Sequence, residues 1–163
     1  MKFSYSYIIV LLAIIAVSQA EFCNLNFKEC QDLKLKTGTS LGKVSNLSFN
    51  GTCSSEGFAV LKKGTVVEID FQFQSYNPQA TLKSVVHGQI SGSPWLPFPL
   101  GNPDACKDSG LTCPIPANTT LNYKPNLKVL SSYPALKVLV KWQLQDARKA
   151  DIFCVVLPAE IAE

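Results

Sequence analysis

TVVEIDFQFQ, Thr65 to Gln74, sets Val67, Ile69, Phe71 and Phe73 against Glu68, Asp70, Gln72 and Gln74. Successive side chains on a strand point to opposite faces of its sheet, so a period of two marks a strand with one face in a core and the other in water. LKVLVKWQLQD, Leu136 to Asp146, repeats the pattern, with Leu136, Val138, Val140, Trp142 and Leu144 inward and Lys137, Lys141, Gln143 and Gln145 outward. Two such strands require partners.

Further strands are expected at Leu41 to Phe49, Lys83 to Ser91, Thr119 to Leu127 and Ile152 to Ile161. The turn signals Asn50-Gly51, Lys63-Gly64, Asn77-Pro78 and Tyr133-Pro134 punctuate them. No segment carries a sustained helical stripe with caps; at most a turn of helix is expected near Asp104 to Asp108. About six to eight strands with turns between them predict an all-β fold, a two-sheet antiparallel sandwich. There is no internal repeat, low-complexity tract or linker, so residues 21–163 are read as one domain.

Residues 1–20 read as a secretory signal peptide: Lys2 supplies the positive start, Ile8 to Val17 the short apolar core, and Ser18 and Ala20 the small residues of a cleavage site. No later stretch approaches the roughly 20 apolar residues of a spanning helix, so the mature product is expected to be a soluble monomer in a secreted or endosomal and lysosomal setting. The formal charge of +3, lower by one without Lys2, is too weak to argue for nucleic acid.

All six cysteines, Cys23, Cys30, Cys53, Cys106, Cys113 and Cys154, follow the signal. An even count in a secreted chain indicates disulfides, and about fifteen pairings of six cysteines are open. Cys106 and Cys113 close a short, polar, glycine-containing loop and are natural partners. A bridge from Cys30 to Cys154 would close nearly the whole domain, worth roughly 4 to 5 kcal/mol in the chain-entropy estimate; Cys23 and Cys53 would then be left for each other. Three Asn-x-Ser/Thr sequons, at Asn46, Asn50 and Asn118, are candidate glycosylation sites and should face solvent if used.

Chemistry is mostly absent. His87 is the single histidine, no Gly-x-Ser-x-Gly elbow occurs, and no thiol remains once the cysteines pair. Glu68 and Asp70 lie on the polar face of a strand, where solvated surface is the ordinary reading. With no Cys-x-x-Cys and one histidine, no metal or other cofactor is expected, and no enzyme. Lys62 and Lys63 before Gly64 could touch anionic lipid, although a solvated hairpin turn is the simpler account.

The unusual segment is Pro94-Trp95-Leu96-Pro97-Phe98-Pro99-Leu100. It carries no charge and is too rich in proline to lie inside a sheet, so it reads as an apolar loop. A surface loop of that kind must pack on the protein, meet a partner or line an apolar cavity.

The order of motifs is more specific than any one of them. Phe27-Lys28-Glu29-Cys30, Val85-Val86-His87-Gly88, Pro97-Phe98-Pro99, Cys106 to Cys113-Pro114-Ile115, Tyr133-Pro134, Trp142-Gln143-Leu144-Gln145-Asp146 and Phe153-Cys154 closely resemble the Niemann-Pick type C2 family. That family belongs to the ML lipid-recognition domains, which also include fungal phosphatidylglycerol/phosphatidylinositol transfer proteins. The resemblance covers essentially the whole mature chain. It implies an immunoglobulin-like sandwich, disulfide-braced, with a lipid tunnel between its two sheets. It implies that Phe98, Val129 and Tyr133 line the tunnel mouth and that Val86 and Trp142 sit deeper, with Phe71, Leu96, Tyr123 and Leu127 as neighbours by position. It supports the Cys30 to Cys154 and Cys106 to Cys113 bridges. One departure stands out: the family pattern has a tight cysteine pair before the strand matching Thr65 to Gln74, whereas this chain has Cys53 there and an additional Cys23, whose bridge would repair the count.

Two functions are therefore weighed. The first is a carrier that encloses one phospholipid or sterol, touches membranes transiently and transfers the lipid between them. The second is a disulfide-braced adhesion or recognition sandwich with a filled core, in which Trp95 to Leu100 is a docking patch. They differ in whether the interior has room for a guest.

Overall fold

A computed structural model describes residues 22–33, 35 and 39–163; the signal peptide expected at residues 1–20 lies outside them. Eleven strands follow in order: β1 (Phe22–Asn24), β2 (Lys28–Glu29), β3 (Gly42–Asn50), β4 (Ala59–Lys62), β5 (Val66–Ser75), β6 (Lys83–Gln89), β7 (Leu96–Phe98), β8 (Thr120–Tyr123), β9 (Asn126–Lys128), β10 (Leu136–Gln145) and β11 (Asp151–Ala162). One sheet runs β1-β3-β5-β8, with β9 beside the start of β5; the other runs β2-β11-β10-β6-β7, with β4 on the far end of β11. The fold is an all-β sandwich of the immunoglobulin-like kind. Among the described residues no helix is long and apolar enough to cross a membrane.

The alternating stretches behave as their periodicity requires. Val67, Ile69, Phe71 and Phe73 of β5 are buried while Glu68, Asp70 and Gln72 are half-buried and Gln74 is exposed. Trp142 and Leu144 of β10 are fully enclosed. Outward-facing Gln143 is buried as well, because its amide donates to both carboxylate oxygens of Asp151 at 3.1 Å. β11 is buried on both faces from Asp151 to Leu157. Its inner side joins the main core, and its outer side carries a second small cluster of Cys30, Cys154 and Val156, on which Leu35 and Trp95 pack.

Four readings are refined. The count exceeds the expectation because β1, β2, β4 and β7 are only two to four residues long. Thr119 to Leu127 is two strands, β8 and β9, divided at Lys124 and Pro125; the Pro125 carbonyl accepts the Ile69 N–H at 3.3 Å, keeping both pieces against β5. The apolar loop contains an edge strand, with Val86 opposite Phe98 and His87 opposite Pro97. Pro97 is tolerated there because an edge strand has one side without a partner. Asp104 to Asp108 is a turn, in which the Asp104 carboxylate accepts the Cys106 N–H at 3.0 Å. Every strand pair is antiparallel except β4 with β11, which runs parallel from Ala59 opposite Ala159.

The disulfides are Cys23–Cys53, Cys30–Cys154 and Cys106–Cys113, with Cα separations of 5.8, 5.4 and 5.5 Å. Gly64 closes the turn between β4 and β5 at φ +75, where a side chain would be strained. Lys63, beside it, pairs with Glu163.

Candidate functional site: an apolar cavity between the sheets

Phe98 is where the two sheets fail to meet. As the last residue of β7, its ring meets Tyr133 edge-on at a centroid distance of 5.8 Å. Behind the two rings lies a cavity of about 80 Å³. β6 contributes Val86 and Gly88, β10 contributes Val138 and Val140, and the ends of β4 and β11 contribute Leu61 and Ile161. From the opposite sheet come Leu127 and Lys128 on β9, followed by Val129. The side chains facing the space are almost wholly hydrocarbon. Val129 is fixed by main-chain bonds on both sides, donating to Thr65 and accepting from Gly64.

Below the cavity comes an aromatic layer. Phe71 packs on Trp142 at 5.2 Å, on Phe153 at 5.3 Å and on Tyr123 at 5.7 Å. The Tyr123 hydroxyl hydrogen-bonds the Ser84 hydroxyl, and burial pushes its pKa up to about 12 against the opposing effect of Ser84 and Trp142. Among the described residues the Trp142 indole N–H makes no hydrogen bond of good geometry.

Of the residues expected to contact lipid, Phe98, Val129, Tyr133, Val86 and Leu127 line the cavity. Phe71, Tyr123 and Trp142 form the packed layer beneath it, and Leu96 stands outside, 54% exposed at the rim. Val138 and Val140 were legible as inward positions of their strand. Leu61 and Ile161 were not, because the parallel pairing of β4 with β11 that brings them together leaves no local pattern. His87 follows Val86 along β6, so alternation turns its imidazole to the outer face, opposite Lys141. Burial and the Lys141 cation hold its pKa below the ordinary value. The sequon residues Asn46, Asn50 and Asn118 are all exposed. Among the described residues no group of three metal-ligating side chains occurs.

An all-β sandwich whose sheets part around an apolar space defines a class of binding proteins rather than catalysts. The ML domain family model matches residues 24–161, and the chain belongs to that family. It is 41% identical over 137 residues to NPC intracellular cholesterol transporter 2 homolog a of Drosophila melanogaster, covering 84% of this chain and 87% of the relative. It is 34% identical to the mouse NPC intracellular cholesterol transporter 2 over 153 residues, 94% of each. A crystal structure of a Niemann-Pick type C2 protein from the Japanese carpenter ant superposes with a TM-score of 0.73 at 25% identity, over 85% of this chain and all of that one.

Proposed function

We propose that this protein encloses one lipid molecule, a sterol or a phospholipid of the phosphatidylglycerol or phosphatidylinositol type, between its sheets and transfers it between membranes. The carrying observation is the apolar cavity that opens beside Phe98 and is lined from both sheets. Two relatives whose names describe cholesterol transport support the sterol arm. The physical need is plain: moving an acyl chain of sixteen carbons through water costs roughly 13 kcal/mol at about 0.8 kcal/mol per methylene. A dry, closable slot removes most of that barrier and requires no covalent step.

At about 80 Å³ the cavity is smaller than the roughly 300 Å³ or more of ordinary ligand sites. A lipid must therefore part Phe98 from Tyr133 and spread the walls as it enters. Phe98, Val129, Tyr133, Val86 and Leu127 are its first contacts; Phe71, Tyr123 and Trp142 follow as the slot lengthens. Leu96, exposed on β7 two residues before Phe98, is suited to transient membrane contact. Three disulfides fit an oxidising destination, outside the cell or in the endosomal and lysosomal lumen, which the signal peptide would supply. Glycans on Asn46, Asn50 and Asn118 would leave the mouth unobstructed, since none of the three lines it.

Delipidated protein titrated with fluorescent sterol and phospholipid analogues should take up one molecule saturably. No uptake of either, with an intact β-sheet circular dichroism spectrum, would instead identify a filled-core recognition module.

A further inference from the structure

Between Pro94 and Pro99 only two side chains are tucked in. Trp95 and Phe98 are half-buried, whereas Pro94, Leu96, Pro97 and Pro99 are exposed. Three residues apart on an extended segment, the two aromatic side chains point to opposite faces of the second sheet. Phe98 turns inward to Tyr133. Trp95 turns outward, packs on the small cluster of Cys30, Cys154 and Val156, and holds the Lys141 ammonium 5.2 Å from its ring centroid.

The reach of that indole gives it a use. In the strand order β2-β11-β10-β6-β7, Lys141 belongs to β10 and Val156 to β11, so the indole extends from the edge of the sheet past β6 to the next two strands. β7 needs such a hold. It is three residues long, pairs with β6 alone, and its middle residue, Pro97, has no N–H to give the ladder. On the inner side, the contact of Phe98 with Tyr133 is the one an entering lipid must break. The seat of Trp95 lies on the other side of the sheet, on a floor cross-linked by the Cys30–Cys154 bridge, and none of Trp95, Lys141 and Val156 lines the cavity.

Resting on the lipid-carrier reading, we propose that Trp95 is a positioning residue for the proposed Phe98 gate: seated outside the sandwich, where cargo does not reach, it keeps β7 in register on β6 while Phe98 parts from Tyr133, and so sets how long a bound lipid is retained. The anchor and the gate are two rings on one short strand, and the anchor stays put when the gate moves.

The test measures release of dehydroergosterol from the whole mature protein to methyl-β-cyclodextrin, which needs no membrane contact. Trp95→Ala should speed release by about fivefold to tenfold, through loss of the cation–π contact and the packing under it. Trp95→Phe, which keeps a ring over Lys141, should restore retention to within about twofold of wild type. Leu35→Ala strips another apolar side chain from the same cluster, one carried by the segment after β2, and should leave release within about twofold of wild type. Unchanged release in Trp95→Ala overturns the proposal, as does Trp95→Phe releasing as fast as Trp95→Ala. Equal acceleration by Leu35→Ala also overturns it, since the effect would then be one of general stability. Should Trp95→Ala fail to fold, Lys141→Met, which removes the cation beneath the ring and keeps the hydrocarbon stem, decides instead: faster release supports the anchor and unchanged release overturns it. A wild-type protein that takes up neither dehydroergosterol nor a fluorescent phosphatidylglycerol overturns the carrier reading itself, whereas one that binds them and ignores Trp95 overturns this inference alone.

Discussion

Phe98 and Trp142 are both large aromatic residues near the cavity, yet their substitutions should separate. Phe98 is half-buried at the seam, so Phe98→Ala removes the proposed gate with little loss of packing. Transfer of a fluorescent sterol between vesicles should slow by about tenfold, corresponding to roughly 1.4 kcal/mol, with the thermal midpoint nearly unchanged. Trp142 is 0% exposed and packs at a tilt against Phe71, so Trp142→Ala should cost about 3 to 5 kcal/mol in urea unfolding. His87 adds a pH dependence. Burial first, and Lys141 second, lower its pKa in the folded state, so the unfolded chain binds more protons on acidification. Its stabilising share is complete above the unfolded value near 6.5 and is lost as pH falls from there toward the lowered folded value. Asp104, held low mainly by the Cys106 N–H, and Asp146, where N–H bonds from Ala150 and Arg148 outweigh burial, act only nearer pH 4. Thermal midpoints should therefore decline between pH 7 and 5, and His87→Gln should flatten that slope. The inward placement of Val86 and Trp142 was readable from strand alternation. The unpartnered indole N–H was not, because a hydrogen bond's absence is a property of three-dimensional neighbours.

At the level of elements, sequence legibility followed length. β5 and β10, each ten residues, have enough alternation to declare themselves. β4 has four residues, and it gains its place by pairing with β11 far along the chain. β7 was hidden by Pro97 and the prolines flanking it, since proline is excluded from sheet interiors but tolerated at an edge. The disulfides rank by the loop each closes, with sequence separations of 124, 30 and 7. Paired Cys→Ala replacement should thus lower stability most for Cys30–Cys154, by roughly 5 kcal/mol, then for Cys23–Cys53, by roughly 4, and least for Cys106–Cys113, by roughly 2 to 3. Calorimetry of the three double variants checks the order.

For the molecule as a whole, holding unfilled space between two sheets trades stability for capacity. Filling it should reverse the trade. Val140→Phe projects a ring from the rigid β10 into the cavity; the protein should melt no lower than the wild type and take up no lipid. Saturating lipid should raise the wild-type midpoint through mass action and leave that of Val140→Phe unmoved. Fold class was open to sequence reasoning because it depends on periodicity and motif order, whereas the expected mouth residues came only from the family resemblance. The size of the cavity was not, because it is the small residual between packed volumes.

The seam beside Phe98 has one further consequence. β7 and β9 border it from opposite sheets, and no backbone hydrogen bond joins them among the described residues. No cysteine lies between residues 54 and 105 or between 114 and 153, so no covalent staple crosses there. The contact there is a pair of rings, and parting them breaks no ladder. Spreading the walls should then detach no strand, and amide exchange along β5, β6 and β10 should not quicken while a guest comes or goes.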